Sequence, residues 1–198
     1  MGVPQGSVLS PCLFNFFVRG ISAPSVPINE SYADNFHAAA QDKSPTLIAN
    51  QLSEAAAKIS VQSSAHRMPL LLAKSTVTLF TPWTKQFGRL PEVKVANEII
   101  PQDNHPKLLG VTFDPTFSFN VHASTTARKA SRRLNVLLAI ADTSFGHDKE
   151  CLAATFKGII RPFFDYAAPI VYPNYAPTSI RRLQLIQNKA LRLVTGLP

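Results

Sequence analysis

Up to about residue 115 the apolar positions fall in short alternating runs, and from Phe119 onward they recur at three- and four-residue steps. That change of period predicts an α+β first part followed by an all-helical one. Residues 2–7, "GVPQGS", mark a turn through their Gly and Pro content, and "SVLSPCLFNFFVRG" predicts a helix buried on most sides and closed by Gly20, with Pro11 as its anomaly. Residues 28–40 alternate as two short strands around Asp34 and Asn35. Leu47, Ile48, Leu52, Ala55, Ala56 and Ile59 form the apolar face of a helix over residues 45–66, with Ser44 and Pro45 suited to its cap and first turn. "MPLLLAKSTVTLF" reads as a strand pair or one long buried strand, "VKVANEII" as a strand and "KLLGVTF" as another, so four to six strands precede residue 115. Helices follow at residues 120–142, 147–172 and 177–196, the second broken near Pro162 and Pro169. The boundary lies between Asp114 and Phe119, dividing the chain into residues 1–116 and 117–198. No internal repeat or low-complexity segment interrupts this order.

Charge sharpens the division. The 198 residues carry a formal net charge of +8, and with 45% hydrophobic residues the chain has ordinary globular composition. Residues 1–121 hold nine Lys/Arg against eight Asp/Glu, whereas residues 122–198 hold eleven against four. A tail of +7 points to a polyanion, since clustered cations release counterions from phosphates; a merely solvated basic face is the alternative. In the first tail helix Arg128, Lys129, Arg132 and Arg133 fall on one side, opposite Leu134, Val136, Leu137 and Ile140. In the last, Leu183, Ile186, Leu191 and Val194 point inward and Arg181, Arg182, Lys189 and Arg192 outward, with Thr178 as cap.

Cys12 and Cys151 stand far apart with no zinc-ligand spacing around them, which fits a reducing, intracellular setting, nuclear or cytoplasmic. No apolar run approaches the roughly 18 residues of a membrane span. The start "MGVPQGS" has Gly6 where a myristoylation signal needs Ser or Thr, and no basic residue precedes "VLSPCLFNFFV" as a secretory signal requires. His122 and His147 lie in no ligand pattern and are expected at the surface or at caps.

Four short motifs, "GVPQGSVLSP", "YADN", "AKST" and "KLLGVTFD", occur in that order. Together they resemble the second half of a reverse transcriptase of the non-long-terminal-repeat (LINE-type) retrotransposon family, a likeness that spans nearly the whole chain. The resemblance implies a right-hand polymerase fold: a partial palm, an antiparallel sheet with helices, followed by a helical thumb. Pro4, Gln5, Gly6 and Ser7 then occupy the motif that starts the palm helix beneath template and incoming nucleotide. Tyr32, Ala33, Asp34 and Asn35 match the catalytic hairpin, usually Tyr-Ala-Asp-Asp. By that match Asp34 is a ligand of the catalytic Mg²⁺ ions, and Tyr32 sits near the nucleotide or primer end. Lys74 matches the lysine near the nucleotide's phosphates. Leu108 to Asp114 matches the hairpin that grips the primer, with Leu109 and Gly110 at its centre. The implied partners are an RNA template, a DNA primer and deoxynucleotides, the duplex being held by the thumb through its backbone. Each motif also has an ordinary structural reading: Asp and Asn suit any tight turn, and a glycine turn precedes many core helices.

Two-metal nucleotidyl transfer places Mg²⁺ ions about 3.5 to 4 Å apart. Several carboxylates are needed to screen their repulsion. Asn35 keeps the turn's shape and one carbonyl oxygen but removes a negative charge. In the resembling family the partner of Asp34 comes from an aspartate motif upstream of "PQGS", and here Met1 is five residues before Gly6. The expectation is a reverse-transcriptase portion that is catalytically incomplete by itself, with the fingers and remaining palm as a possible partner. The alternative is a nucleic-acid-binding retroelement remnant without catalysis.

Overall fold

The computed structural model describes residues 4, 6–86, 92–95, 97–141 and 148–196. These form an α+β chain of helices and small antiparallel sheets, divided into two compact units. The first contains the described residues up to Leu79 together with those of Trp83–Asp103; the second contains Phe80–Pro82 and the described residues from Asn104 onward.

In the first unit, helix α1 (Ser10–Val18) follows the Gly-Pro turn, and Pro11 falls within its first turn, where a missing N–H costs nothing. Strands β1 (Ile28–Tyr32) and β2 (Asn35–Ala39) pair antiparallel, with Ile28 opposite Ala39 and Tyr32 opposite Asn35. Helix α2 (Pro45–Ala65) starts after Ser44, whose extended backbone suits a cap but whose side chain bonds no helix N–H. Instead the Asp42 carboxylate accepts the Ser44 N–H at 2.8 Å. Val18, Ile21, Ala23 and Val26 pack with Ala55 and Ile59 of α2, and the Gln62 amide oxygen accepts the Ser22 N–H at 2.7 Å. Strands β3 (Lys94–Val95) and β4 (Glu98–Ile99) form a hairpin tied to α2, the Lys94 N–H donating to Ser53 Oγ at 3.0 Å.

Several expectations for this half are corrected. Only Val18 of α1 is buried, while Leu13, Phe16 and Phe17 are exposed, Phe16 at 77%. An apolar residue on every side of a helix does not create a neighbour on every side, and within this unit only Phe14 and Val18 of α1 pack on the core. Leu47 likewise faces out. "MPLLLAKSTVTLF" forms no strand: it makes a 3₁₀ turn at Leu72–Lys74 and a single bridge from Val77 to Gln102. Ser75 explains part of this, because its hydroxyl bonds back to the Leu71 carbonyl at 3.2 Å and satisfies locally what a ladder would otherwise take. "VKVANEII" folds back on itself, with Asn97 at φ 70°, a conformation its short polar side chain tolerates.

The second unit begins with hairpin β5 (Lys107–Leu108) and β6 (Val111–Thr112), then helices α3 (Asn120–Ile140), α4 (Lys149–Ile159), α5 (Pro162–Asp165), α6 (Ala168–Val171) and α7 (Pro177–Thr195). Pro162 and Pro169 stand in the first turns of α5 and α6, which is how they break the predicted second helix. Ala123, Ala127, Ala130, Leu134 and Leu137 of α3 line one core with Leu152, Phe156, Ile160, Leu183 and Ala190. The three α3 alanines let neighbouring helices approach closely, and the packed face explains why this helix keeps its form despite few caps. Val136 and Leu191, expected inward, are exposed, and Leu193 packs on the core instead. Thr178 lies inside α7; the cap position is Ala176, without a side-chain bond.

Asp114 organises the entry to α3. Its carboxylate is 6% exposed and accepts the N–H groups of Thr116 (3.2 Å), Ser118 (3.0 Å) and Phe119 (2.5 Å) and the Thr116 hydroxyl (2.8 Å). Burial alone pushes this carboxyl up, but the bonds from Thr116, Ser118 and Phe119 outweigh it and hold it below its usual range. His122, expected at the surface or at a cap, stands in the first turn of α3 but is 8% exposed, and its Nδ1 accepts the Thr112 N–H at 3.2 Å, joining β6 to α3. Burial, aided by the charge of Lys129, lowers its pKa, consistent with the neutral ring that this bond requires. His147 lies outside the described residues.

Candidate nucleic-acid interface

The β1–β2 hairpin turns through Ala33 and Asp34, a two-residue loop with Ala33 at φ 53°. Tyr32, Asp34 and Asn35 are all exposed at its tip, and Asn35 Nδ2 donates to Asp34 Oδ1 at 3.3 Å. Asn35 thus turns its amide nitrogen toward the carboxylate and supplies no second negative oxygen there. Among the described residues no group of three or more His, Cys, Asp and Glu side chains is placed to hold a metal ion. One exposed carboxylate with an amide beside it does not fit a two-ion magnesium centre.

Upstream, Pro4, Gly6 and Ser7 form an exposed turn in which Gly6 takes φ 89°. Ser7 Oγ accepts the Leu9 N–H at 3.4 Å, and the Ser10 hydroxyl donates to the Pro4 carbonyl, so Ser7 acts two residues ahead of the cap position, Leu9. Gln5 lies outside the described residues. Lys74 is exposed in its 3₁₀ turn, and among the described residues no hydrogen bond or ion pair links it to Asp34 or to the Ser7 turn.

In the second unit the hairpin loop Leu109–Gly110 has φ of 47° and 87°, both left-handed, as a two-residue loop joining twisted strands demands. Close approach at Gly110 is made by the protein itself: a Cβ there would meet the Tyr166 ring at 3.4 Å, and the Tyr166 hydroxyl donates to the Leu109 carbonyl. Tyr166 was not foreseeable from spacing, since 57 positions separate it from Leu109. Gly110→Ala therefore meets backbone strain at φ 87°, while its Cβ would rest in ordinary van der Waals contact with the ring. It should destabilise the protein by about 1–2 kcal/mol in urea unfolding. Little change would show that the loop yields freely.

Arg128, Lys129, Arg132, Arg133, Arg181 and Arg182 are all exposed, but the structure gathers only three of them. Arg128, Arg132 and Arg182 line an open groove of about 660 Å³ with Asn120, Ser124 and Asn135. Successive helical residues are rotated by about 100°, which carries Lys129 and Arg133 away from the Arg128–Arg132 stripe. None of the three groove arginines is in an ion pair among the described residues. A second groove, of about 550 Å³, differs: its Arg161 is paired with Asp165 at 2.9 Å. The first groove thus combines uncompensated guanidinium groups with amide and hydroxyl side chains, the chemistry that suits phosphate and sugar oxygens. The polar members recur at four-residue steps in Asn120, Ser124, Arg128 and Arg132, a periodicity that an inspection for arginines alone overlooks.

No described helix is long and apolar enough to cross a membrane. No protein-family model matches the chain, and no solved structure matches it significantly. Curated relatives do. The chain is 24% identical, over its whole length, to a probable RNA-directed DNA polymerase from transposon BS of Drosophila melanogaster. It is 26% identical over 98% of its length to a probable RNA-directed DNA polymerase from transposon X-element, and 27% identical over all of it to the RNA-directed DNA polymerase from mobile element jockey, both of the same organism. In each case the chain spans about 22% of the relative's length. Along its full length, then, this chain is similar to one stretch of non-long-terminal-repeat retrotransposon reverse transcriptases, as its four ordered motifs imply.

Proposed function

We propose that this chain is a nucleic-acid-holding portion of an RNA-directed DNA polymerase, with residues 1–116 contributing part of a palm and residues 117–198 a thumb. The observation that carries the reading is the groove of Arg128, Arg132 and Arg182, outside every ion pair of the described residues and flanked by hydrogen-bonding side chains, in a chain similar throughout to such polymerases. In the intact polymerase the chemistry is magnesium-dependent addition of deoxynucleotides to a DNA primer on an RNA template. Asp34 supplies one carboxylate to that centre, Tyr32 and Asn35 shape the hairpin beside it, and Pro4, Gln5, Gly6, Ser7 and Lys74 border the nucleotide. The remaining acidic ligands must come from outside this hairpin. Leu109 and Gly110 face the primer from a loop that is compact with the helices.

A second reading, a nucleic-acid-binding retroelement protein without polymerase chemistry, is favoured by Asn35 beside Asp34. Primer extension on an RNA template with Mg²⁺ separates the two when performed on this chain and on a longer polymerase containing it. The chain alone should extend no primer; the longer polymerase should do so and lose activity with Asp34→Ala. Extension by the chain alone, abolished by Asp34→Ala, would overturn the incomplete-centre argument. A longer polymerase that stays inert even with Asn35→Asp would favour the second reading.

A further inference from the structure

Phe80 and Phe117 stack on each other with ring centroids 4.6 Å apart and planes inclined by 23°, yet each remains well exposed, at 41% and 44%. Phe113 stands edge-on to both. The pair is held out with unusual firmness. Phe117 takes φ 55°, a conformation that is a genuine outlier for a bulky residue, and its N–H donates to the Asp114 carbonyl at 3.0 Å within the loop tied to the buried Asp114 carboxylate. Phe80 is fixed through its neighbour, the Thr81 N–H donating to the Pro115 carbonyl at 2.9 Å. Leaving two stacked phenyl rings this exposed is the reverse of what burial alone rewards.

Along the chain the pair's Phe117 lies just ahead of the helix that carries the basic groove. Asn120 and Val121, which line the groove, follow Phe117 by three and four residues, and Asn120 Nδ2 donates to Ser118 Oγ at 3.0 Å. A phosphate chain lying along Arg132 and Arg128 toward Asn120 runs to the N-terminal end of α3, the end that Phe117 precedes. Resting on the nucleic-acid reading given above, we propose that Phe80 and Phe117 form a stacking platform for an unpaired nucleobase at the end of the duplex held in the groove. The platform needs only a π-face, so it is indifferent to base identity.

The test uses the full chain and a fluorescein-labelled RNA/DNA hybrid of about 14 base pairs, either blunt, with one unpaired nucleotide, or with one abasic nucleotide of the same charge. The unpaired base should tighten binding about tenfold over both controls, and 2-aminopurine at that position should be quenched on binding. Phe80→Leu and Phe117→Leu should each remove the gain while leaving blunt-hybrid affinity and its salt dependence unchanged. Should Phe117→Leu prove unfolded by thermal melting, Phe80→Leu and the 2-aminopurine quenching read the same contact. Equal affinity for blunt and overhanging hybrids, with salt-sensitive binding intact, overturns the platform and leaves the polymerase reading standing. A gain retained in both folded variants overturns it equally. Absence of salt-sensitive binding to any hybrid sinks the underlying reading and the platform with it.

Discussion

Asp114→Ala is expected to lower the stability of the second unit by about 3 kcal/mol or more. Three backbone N–H groups and one hydroxyl converge on this 6%-exposed carboxylate, and removing it leaves those donors without their acceptor as well as opening a void. The same bonds hold Phe117 and Phe119 at φ 55° and 54°, conformations that persist only where the surroundings over-determine them. Phe119 is the residue before α3, and no side chain of its own caps that helix, so Asp114 serves as a cap from five residues away. Asp114→Asn keeps the size and one acceptor oxygen and should lose about half as much.

The charge gives this prediction a pH signature. Because the folded carboxyl is held below its ordinary value of 3.8, its contribution is complete above that value and is lost as pH falls through the folded pKa. Urea unfolding at successive pH values should therefore show the gap between wild type and Asp114→Asn closing as pH drops below about 4. A gap that stays constant down to pH 3 would mean that geometry, not charge, is what Asp114 provides.

How much of this could be read from the sequence depends on where each hydrogen bond finds its partner. The helices of the second half are legible because their apolar period and their prolines are local: Pro162, Pro169 and Pro177 each stand in the first turn of a helix. The hairpin at Tyr32–Asn35 is legible for the same reason, as both turn chemistry and alternation lie within twelve residues. After residue 68 strand is legible at "VKVANEII" and "KLLGVTF", but each is a hairpin rather than one strand, since two-residue ladders leave no alternation to locate the turn. "MPLLLAKSTVTLF" forms none, in part because Ser75 bonds its own turn. Burial of α1 was misread since an evenly apolar helix does not say which side has a neighbour. The Asp114 loop carried an overlooked signal: an aspartate followed by Thr116 and Ser118 has the short polar residues that favour side-chain-to-backbone bonding. Tyr166 on Leu109 carried none, for that contact exists only once α5 has been packed. Among the candidate site residues, exposure of the basic ones follows from helix period, but the selection of Arg128, Arg132 and Arg182 needs α3 and α7 side by side.

Replacing those three arginines together with alanine should produce the largest change in binding. Each phosphate contact removed lowers the slope of log affinity against log salt by about 0.9 for a duplex, so the triple variant should lose between 2 and 3 from it. Near 0.1 M salt that corresponds to a loss of roughly a few hundred-fold, and it should be nearly the same for hybrids of unrelated sequence, because guanidinium–phosphate bonds read no bases. Stability should change little, since all three side chains are exposed and outside the ion pairs of the described residues. The decisive comparison is with Lys129, Arg133 and Arg181, equal in charge and also exposed but outside the groove lining. If the tail merely attracted a polyanion by its +7, both triple variants would weaken binding alike. A groove that seats a backbone predicts a much larger loss for the first set, and it predicts further that lysine in place of Arg128, Arg132 and Arg182 preserves the salt slope while weakening binding, because an ammonium keeps the charge and forfeits the two-pronged bond to phosphate.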